Sequence, residues 1–85
     1  MEIKVGIVND FFSKVGVAAF TLEAELKIGD TIHIKGHTTD LVQQVESIQI
    51  DRISVNNAKA GDSIGIKVND RVRKGDTVFK VIADN

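Results

Sequence analysis

The side chains in this chain best equipped for chemistry are a basic cluster, two neighbouring aromatics and two histidines. Lys67, Arg71, Arg73 and Lys74, with Lys80 beyond them, form the densest cationic segment. Ammonium and guanidinium groups at this density can hold the phosphates of a nucleic acid. Asp70 and Asp76 are interleaved with them, so the same segment also reads as a solvated hairpin tip. Phe11 and Phe12 offer either a stacking platform for bases or apolar lids over a core. His33 and His37 lie four apart. On a helix that spacing would put both rings on one face, but on a strand running into a turn they diverge, which favours solvated histidines over a metal pair. Asp30 and Asp40 flank them in turn-forming sequence, where a carboxylate bonds its own following backbone.

Other chemistries lack their residues. The chain has no cysteine, which removes disulfides, thiol catalysis and cysteine-bound zinc. It contains neither a G-x-x-x-x-G-K-[ST] phosphate loop nor a G-x-G-x-x-G fingerprint, so GTP binding is not expected. Ser13, Ser47, Ser54 and Ser63 stand in no recognisable nucleophile context. The sequence therefore assigns no catalytic residue, no metal ligand and no cofactor, and points to a binding module. Formal charge is −1, far from the basic balance of a dedicated nucleic-acid binder, so any RNA contact must come from the local patch of Lys67, Arg71, Arg73 and Lys74. No run of about 18 apolar residues and no apolar leader appears, which leads us to expect a cytoplasmic protein without membrane contact.

The elements that must position these groups read as strands. Ile and Val dominate the apolar residues, and β-branched side chains pack well on a pleated surface. One phrase occurs three times, as KIGDTIHI, KAGDSIGI and RKGDTVFKV. In each, Gly29, Gly61 or Gly75 can take the positive φ of a tight turn, and an Asp followed by a hydroxyl residue leads into an apolar alternation. The glycines are unevenly spaced, which excludes a solenoid or propeller of fixed repeat. Strands are expected over residues 2–8 (Ile3, Val5 and Ile7 inward), 15–22, 31–35, 41–53, 63–68 and 77–82. Residues 9–16 read as a polar connection, and residues 54–62 as a turn or a single helical turn. Within 41–53, Val45 and Ile48 have opposite parity, so a β-bulge near Glu46 and Ser47 is needed to keep both on one face. Short strands at this spacing predict an all-β fold, a closed or nearly closed barrel of six or seven mainly antiparallel strands, with Val5, Ile32, Ile34, Val45, Ile64 and Ile66 inside.

Residues 26–36 (LKIGDTIHIKG), 45–68 (VESIQIDRISVNNAKAGDSIGIKV) and 71–81 (RVRKGDTVFKV) resemble the second, β-barrel domain of translational GTPases such as elongation factor Tu and initiation factor two. The matching elements are the G-D turn at 28–30, Gly36, the strand 45–48, the A-x-A-G-D-x-x-G loop at 58–65 and the turn at 74–76. This resemblance implies one barrel across residues 1–85, without the GTP-binding domain and its activity, docking tRNA, ribosomal RNA or a translation-related partner. It places Glu46 at the strand glutamate of the tRNA-end pocket, with Gln49 where that pocket has a basic residue. The strand VESIQ, with GHTTD before it and VNNAKAGDSIGIKV after it, also resembles the C-terminal barrel of collagenase-like peptidase-family proteins, some of them linked to RNA modification. That resemblance implies a detached accessory domain acting through protein contacts.

Overall fold

The computed structural model describes residues 1–83, and every regular element among them is a strand. In chain order these are β1 (Glu2–Ile7), β2 (Asp10–Phe12), β3 (Val17–Thr21), β4 (Leu26–Lys27), β5 (Thr31–Lys35), β6 (Asp40–Gln44), β7 (Ile48–Ile50), β8 (Ile53–Val55), β9 (Asn57–Ala58), β10 (Ser63–Lys67) and β11 (Thr77–Val81). A four-stranded sheet has the order β1-β11-β5-β6, a five-stranded sheet the order β2-β3-β10-β7-β8, and β4 pairs with β9 alone. All pairings are antiparallel. The all-β expectation holds. The strands are shorter and more numerous than the six or seven expected, and among the described residues they form three sheets rather than one closed ring.

The repeated G-D phrase explains how the two large sheets are joined. In each copy the Asp N–H donates to the carbonyl three residues back: Asp30 to Lys27, Asp62 to Lys59 and Asp76 to Arg73. The glycine between takes φ of 96°, 95° or 96°, the left-handed value a type II turn needs at that position. The Asp carboxylate then accepts the N–H of the same residue three back, at 2.9, 2.9 and 2.8 Å. These carboxylates thus tie down the preceding backbone, not the following backbone that the sequence suggested.

Each turn also grips one buried residue from elsewhere in the chain. Gly75 donates to the Val8 carbonyl while the Val8 N–H donates to Asp76; Gly61 and Asp62 hold Leu22, and Gly29 and Asp30 hold Val45, in the same two-bond exchange at 2.8–2.9 Å. Val8, Leu22 and Val45 are all buried, and each follows the end of β1, β3 or β6. The turns therefore satisfy backbone groups that would otherwise be buried unpaired where a strand leaves its sheet.

This grip accounts for the break in the expected long strand. Val45 leaves the ladder to bond Gly29 and Asp30, and the chain crosses from β6 in one sheet to β7 in the other. A sheet-to-sheet crossing thus stands where a bulge at Glu46 and Ser47 was expected, and both Val45 and Ile48 still reach the core. Residues 51–52 form a two-residue hairpin loop with Ile50 opposite Ile53. The connection expected at 9–16 contains β2 and its hairpin with β3, and residues 54–62 hold β8, β9 and a turn without a helical one.

The six residues expected inside are all buried, in one core with Phe20, Leu26, Ile48 and Val78. The real bulge lies in β1, between Lys4 and Gly6. It shifts the phase so that Gly6 lies opposite Val78 and Ile7 opposite Thr77, which leaves Ile3 and Ile7 exposed. A Cβ on Gly6 would meet Phe20 Cδ2 at 2.6 Å, so the absent side chain admits the largest core residue.

Glycine substitutions should separate two kinds of constraint. At Gly36 a Cβ would stand 1.8 Å from Asp76 Oδ1, displacing a buried carboxylate from the Arg73 N–H. Gly36→Ala is expected to cost about 2–4 kcal/mol in urea unfolding. Gly29→Ala meets no atom within 4 Å and is expected to cost only about 1–2 kcal/mol, from its backbone conformation. Equal losses would contradict the assignment.

Candidate functional site

The four basic residues singled out from the sequence do not converge. Lys67 ends β10 on the outer face of the five-stranded sheet and lines a groove there. Arg71 lines a separate, smaller hollow with Phe11, Ser13 and Asn69. Arg73 Nε donates to Thr38 Oγ1 in the β5–β6 connection, at 3.1 Å. Lys74 and Glu46 are exposed, and neither lines the groove. The two aromatics divide their roles: Phe11 packs against the core, whereas Phe12 points outward and is 50% exposed.

His33 and His37 are also apart in role. His37 is exposed in the turn after β5. His33 lies on the outer face of the four-stranded sheet between two carboxylates, with Nε2 2.5 Å from Asp40 Oδ1 and Nδ1 2.7 Å from Glu2 Oε2. The Asp40 hydrogen bond and then the Glu2 hydrogen bond raise its pKa above the ordinary histidine value, against a smaller lowering from partial burial. When protonated, the ring donates from both nitrogens and joins β1, β5 and β6. Asp40 thus serves this pair rather than its own turn. With both nitrogens occupied, His33 has no free position from which to act as a general base.

The groove on the five-stranded sheet is larger than the hollow at Arg71. Its volume is about 780 Å³, and it is lined by Phe12, Lys14, Val15, Val17, Lys67 and Arg52 around Gly65, with Ser47 and Gln49. The register builds it: Phe12 pairs with Val17, Val17 with Lys67, and Gly65 with Gln49. Gly65 keeps the floor low, since a Cβ there would come within 3.1 Å of Val17 Cγ1. Buried Gln43 fixes the backbone beneath, donating to the Lys67 carbonyl at 2.9 Å and accepting the Asn69 N–H at 2.7 Å. The outer face of an antiparallel sheet is ordinarily polar, yet here Phe12 and Val15 are half or more exposed, at 50% and 56%. Three cations and no carboxylate line it.

Sequence reasoning found Phe12 and Lys67 but missed Lys14, Val15, Val17, Arg52 and Gly65. The available signal was the four-residue, glycine-containing gap between Phe12 and Val17, which marks a hairpin and pairs the two. Arg52 carried no comparable signal, because the chain there adopts φ of 65° on a residue other than glycine.

No protein-family model matches the chain. It is 47% identical over 79 residues to an uncharacterized protease of Methanocaldococcus jannaschii, covering 92% of this chain and 19% of the relative. It is 41% identical over 81 residues to a collagenase of Porphyromonas gingivalis, covering 93% and 20%. The chain thus spans about a fifth of the length of these curated relatives. In fold it is similar to the crystallised C-terminal domain of a candidate U32 peptidase of Geobacillus thermoleovorans, with a TM-score of 0.84 at 18% identity, covering 89% of this chain and 96% of that one. These similarities support the collagenase-like resemblance and lend none to the translation-factor one.

Two measurements test the local physics. Because the folded pKa of His33 is raised, its contribution to stability is complete below the unfolded value near pH 6.5 and is lost as pH rises through the folded value. The urea midpoint is expected to fall between about pH 6 and pH 9, and His33→Gln to remove that part of the slope; an unchanged slope would refute it. Arg52→Gly puts glycine at the second loop position, as two-residue hairpins prefer, and should raise stability by about 0.5–1 kcal/mol.

Proposed function

We propose that this chain is the accessory, non-catalytic β domain of a collagenase-like U32 peptidase-family protein, and that it docks a protein partner rather than cutting one. The observation that carries the reading is a contrast of lengths. The curated relatives match nearly all of this chain but only about a fifth of themselves, and a fold of the same extent has been crystallised separately as the C-terminal domain of a candidate U32 peptidase. A segment of this size supplies one small core, leaving any catalytic centre to the rest of the longer protein. The one histidine placed among carboxylates is tied at both nitrogens, which supports a structural role for it. The groove offers contact area and charge without an activated nucleophile.

The test is proteolysis by the purified 85-residue chain. Urea unfolding should show a cooperative transition, while labelled gelatin and casein should remain uncut over long incubation. Cleavage that scales with purified protein and is abolished by His33→Gln would overturn the accessory reading.

A further inference from the structure

We infer that the groove on the outer face of the five-stranded sheet is a binding site for an acidic peptide segment carrying an apolar anchor residue. The proposal deepens the docking role above by naming the site and the chemistry of its occupant.

The lining decides that chemistry. Val15, Val17 and the ring of Phe12 form the apolar wall, and Gly65 opens the floor between them. A Leu, Ile or Phe side chain laid there would bury its own surface and that of residues now in contact with water. Lys14, Lys67 and Arg52 lie among the lining residues, and none of the three makes an ion pair among the described residues. Asp10, two residues before Phe12 on β2, accepts the Phe11 N–H at 2.9 Å and does not line the groove. No carboxylate lines the groove, and a partner supplying several would meet complementary charge. The opposite sheet contrasts with this, since its outward His33 is matched by Glu2 and Asp40.

A peptide fits better than a nucleic-acid strand. Binding of single strands rests on successive aromatic platforms, and this groove has one aromatic ring beside two valines. Aliphatic walls favour a branched or aromatic side chain as anchor. Asp51 and Arg52 both take positive φ, 51° and 65°, as the two central residues of a tight hairpin loop do. The loop places a guanidinium beside the groove, where it can take a carboxylate by two parallel hydrogen bonds.

The test is fluorescence anisotropy with the whole chain and a labelled peptide of about ten residues, Asp and Glu flanking a central Leu-Phe pair, long enough to cross the groove in extended form. Comparison probes are the same peptide with Ser-Ser at the centre, a Lys-rich version, and an oligouridylate. The anchored acidic peptide is expected to bind, and the Ser-Ser and Lys-rich peptides to bind at least about tenfold more weakly. Phe12→Ser and the pair Lys14→Glu with Lys67→Glu should each reduce affinity about tenfold, and all three positions are exposed enough for the fold to survive. Arg52→Gly should weaken binding about threefold or more while stabilising the fold, a separation that a purely structural arginine would not give. Arg71→Glu with Arg73→Glu should leave binding unchanged. No binding of the anchored peptide, equal binding by the groove variants, or tighter binding of oligouridylate would each overturn the proposal. None of those results alters the proteolysis test, so failure of the groove and failure of the accessory reading are distinguishable.

Discussion

The fold depends on a two-bond exchange of backbone hydrogen bonds, made three times, between a G-D turn and a buried residue that has just left its strand. Two sheets of four and five strands share the core, and the chain passes between them four times, after β1, β3, β6 and β10. Each passage takes a residue out of its ladder and into the interior, where an unpaired N–H or C=O costs roughly 1–3 kcal/mol. Val8, Leu22 and Val45 are those residues at the passages after β1, β3 and β6; at the fourth, after β10, the buried Val68 donates instead to the Gly16 carbonyl, outside any G-D turn. The glycine supplies the φ that closes the turn, and the aspartate locks the turn from its other side. A single local solution serves three separate passages, which is why the phrase recurs at uneven spacing.

That division of labour shapes what lies outside the core. With three of the four passages clasped by G-D turns, the β2–β3 and β7–β8 hairpins can carry exposed apolar and cationic side chains at their ends. Phe12 and Arg52 stand at the ends of these two hairpins, on either side of β10. The four-stranded sheet is treated differently. Its outward His33 joins three strands through Glu2 and Asp40, and Lys35 lies 5.8 Å from the centroid of the Phe79 ring. One face is internally satisfied and the other is left to meet a partner.

Much of the fold was legible because its rules are local. Period-2 alternation placed Ile32, Ile34, Ile64 and Ile66 correctly, and each G-D pair marked a real strand start. Prediction failed where a distant segment determined the outcome. Nothing local to Val45 announces that Gly29 and Asp30 will take its hydrogen bonds, so a crossing between sheets read as a bulge. Nothing local to β1 shows that Phe20 needs the space at Gly6, so Ile3 and Ile7 were placed inward. The candidate site was less legible still. Density along the chain grouped Lys67 with Arg71 and Arg73, but the register groups it with Val17 and Phe12, from a strand that was read as a connection.

The distant structural similarity bears on which residues are free to carry function. A fold retained at a TM-score of 0.84 with 18% identity requires only that the turns, the apolar parity and the close glycine contacts be kept, since these determine packing and backbone satisfaction. The outward residues of β2, β3 and β10 fall outside those requirements. Stability alone does not call for an exposed Phe12 and an exposed Val15 beside three cations around one groove, and a polar face would give a more soluble sheet. An arrangement that the fold does not need is better explained by contact with a partner than by the architecture that supports it.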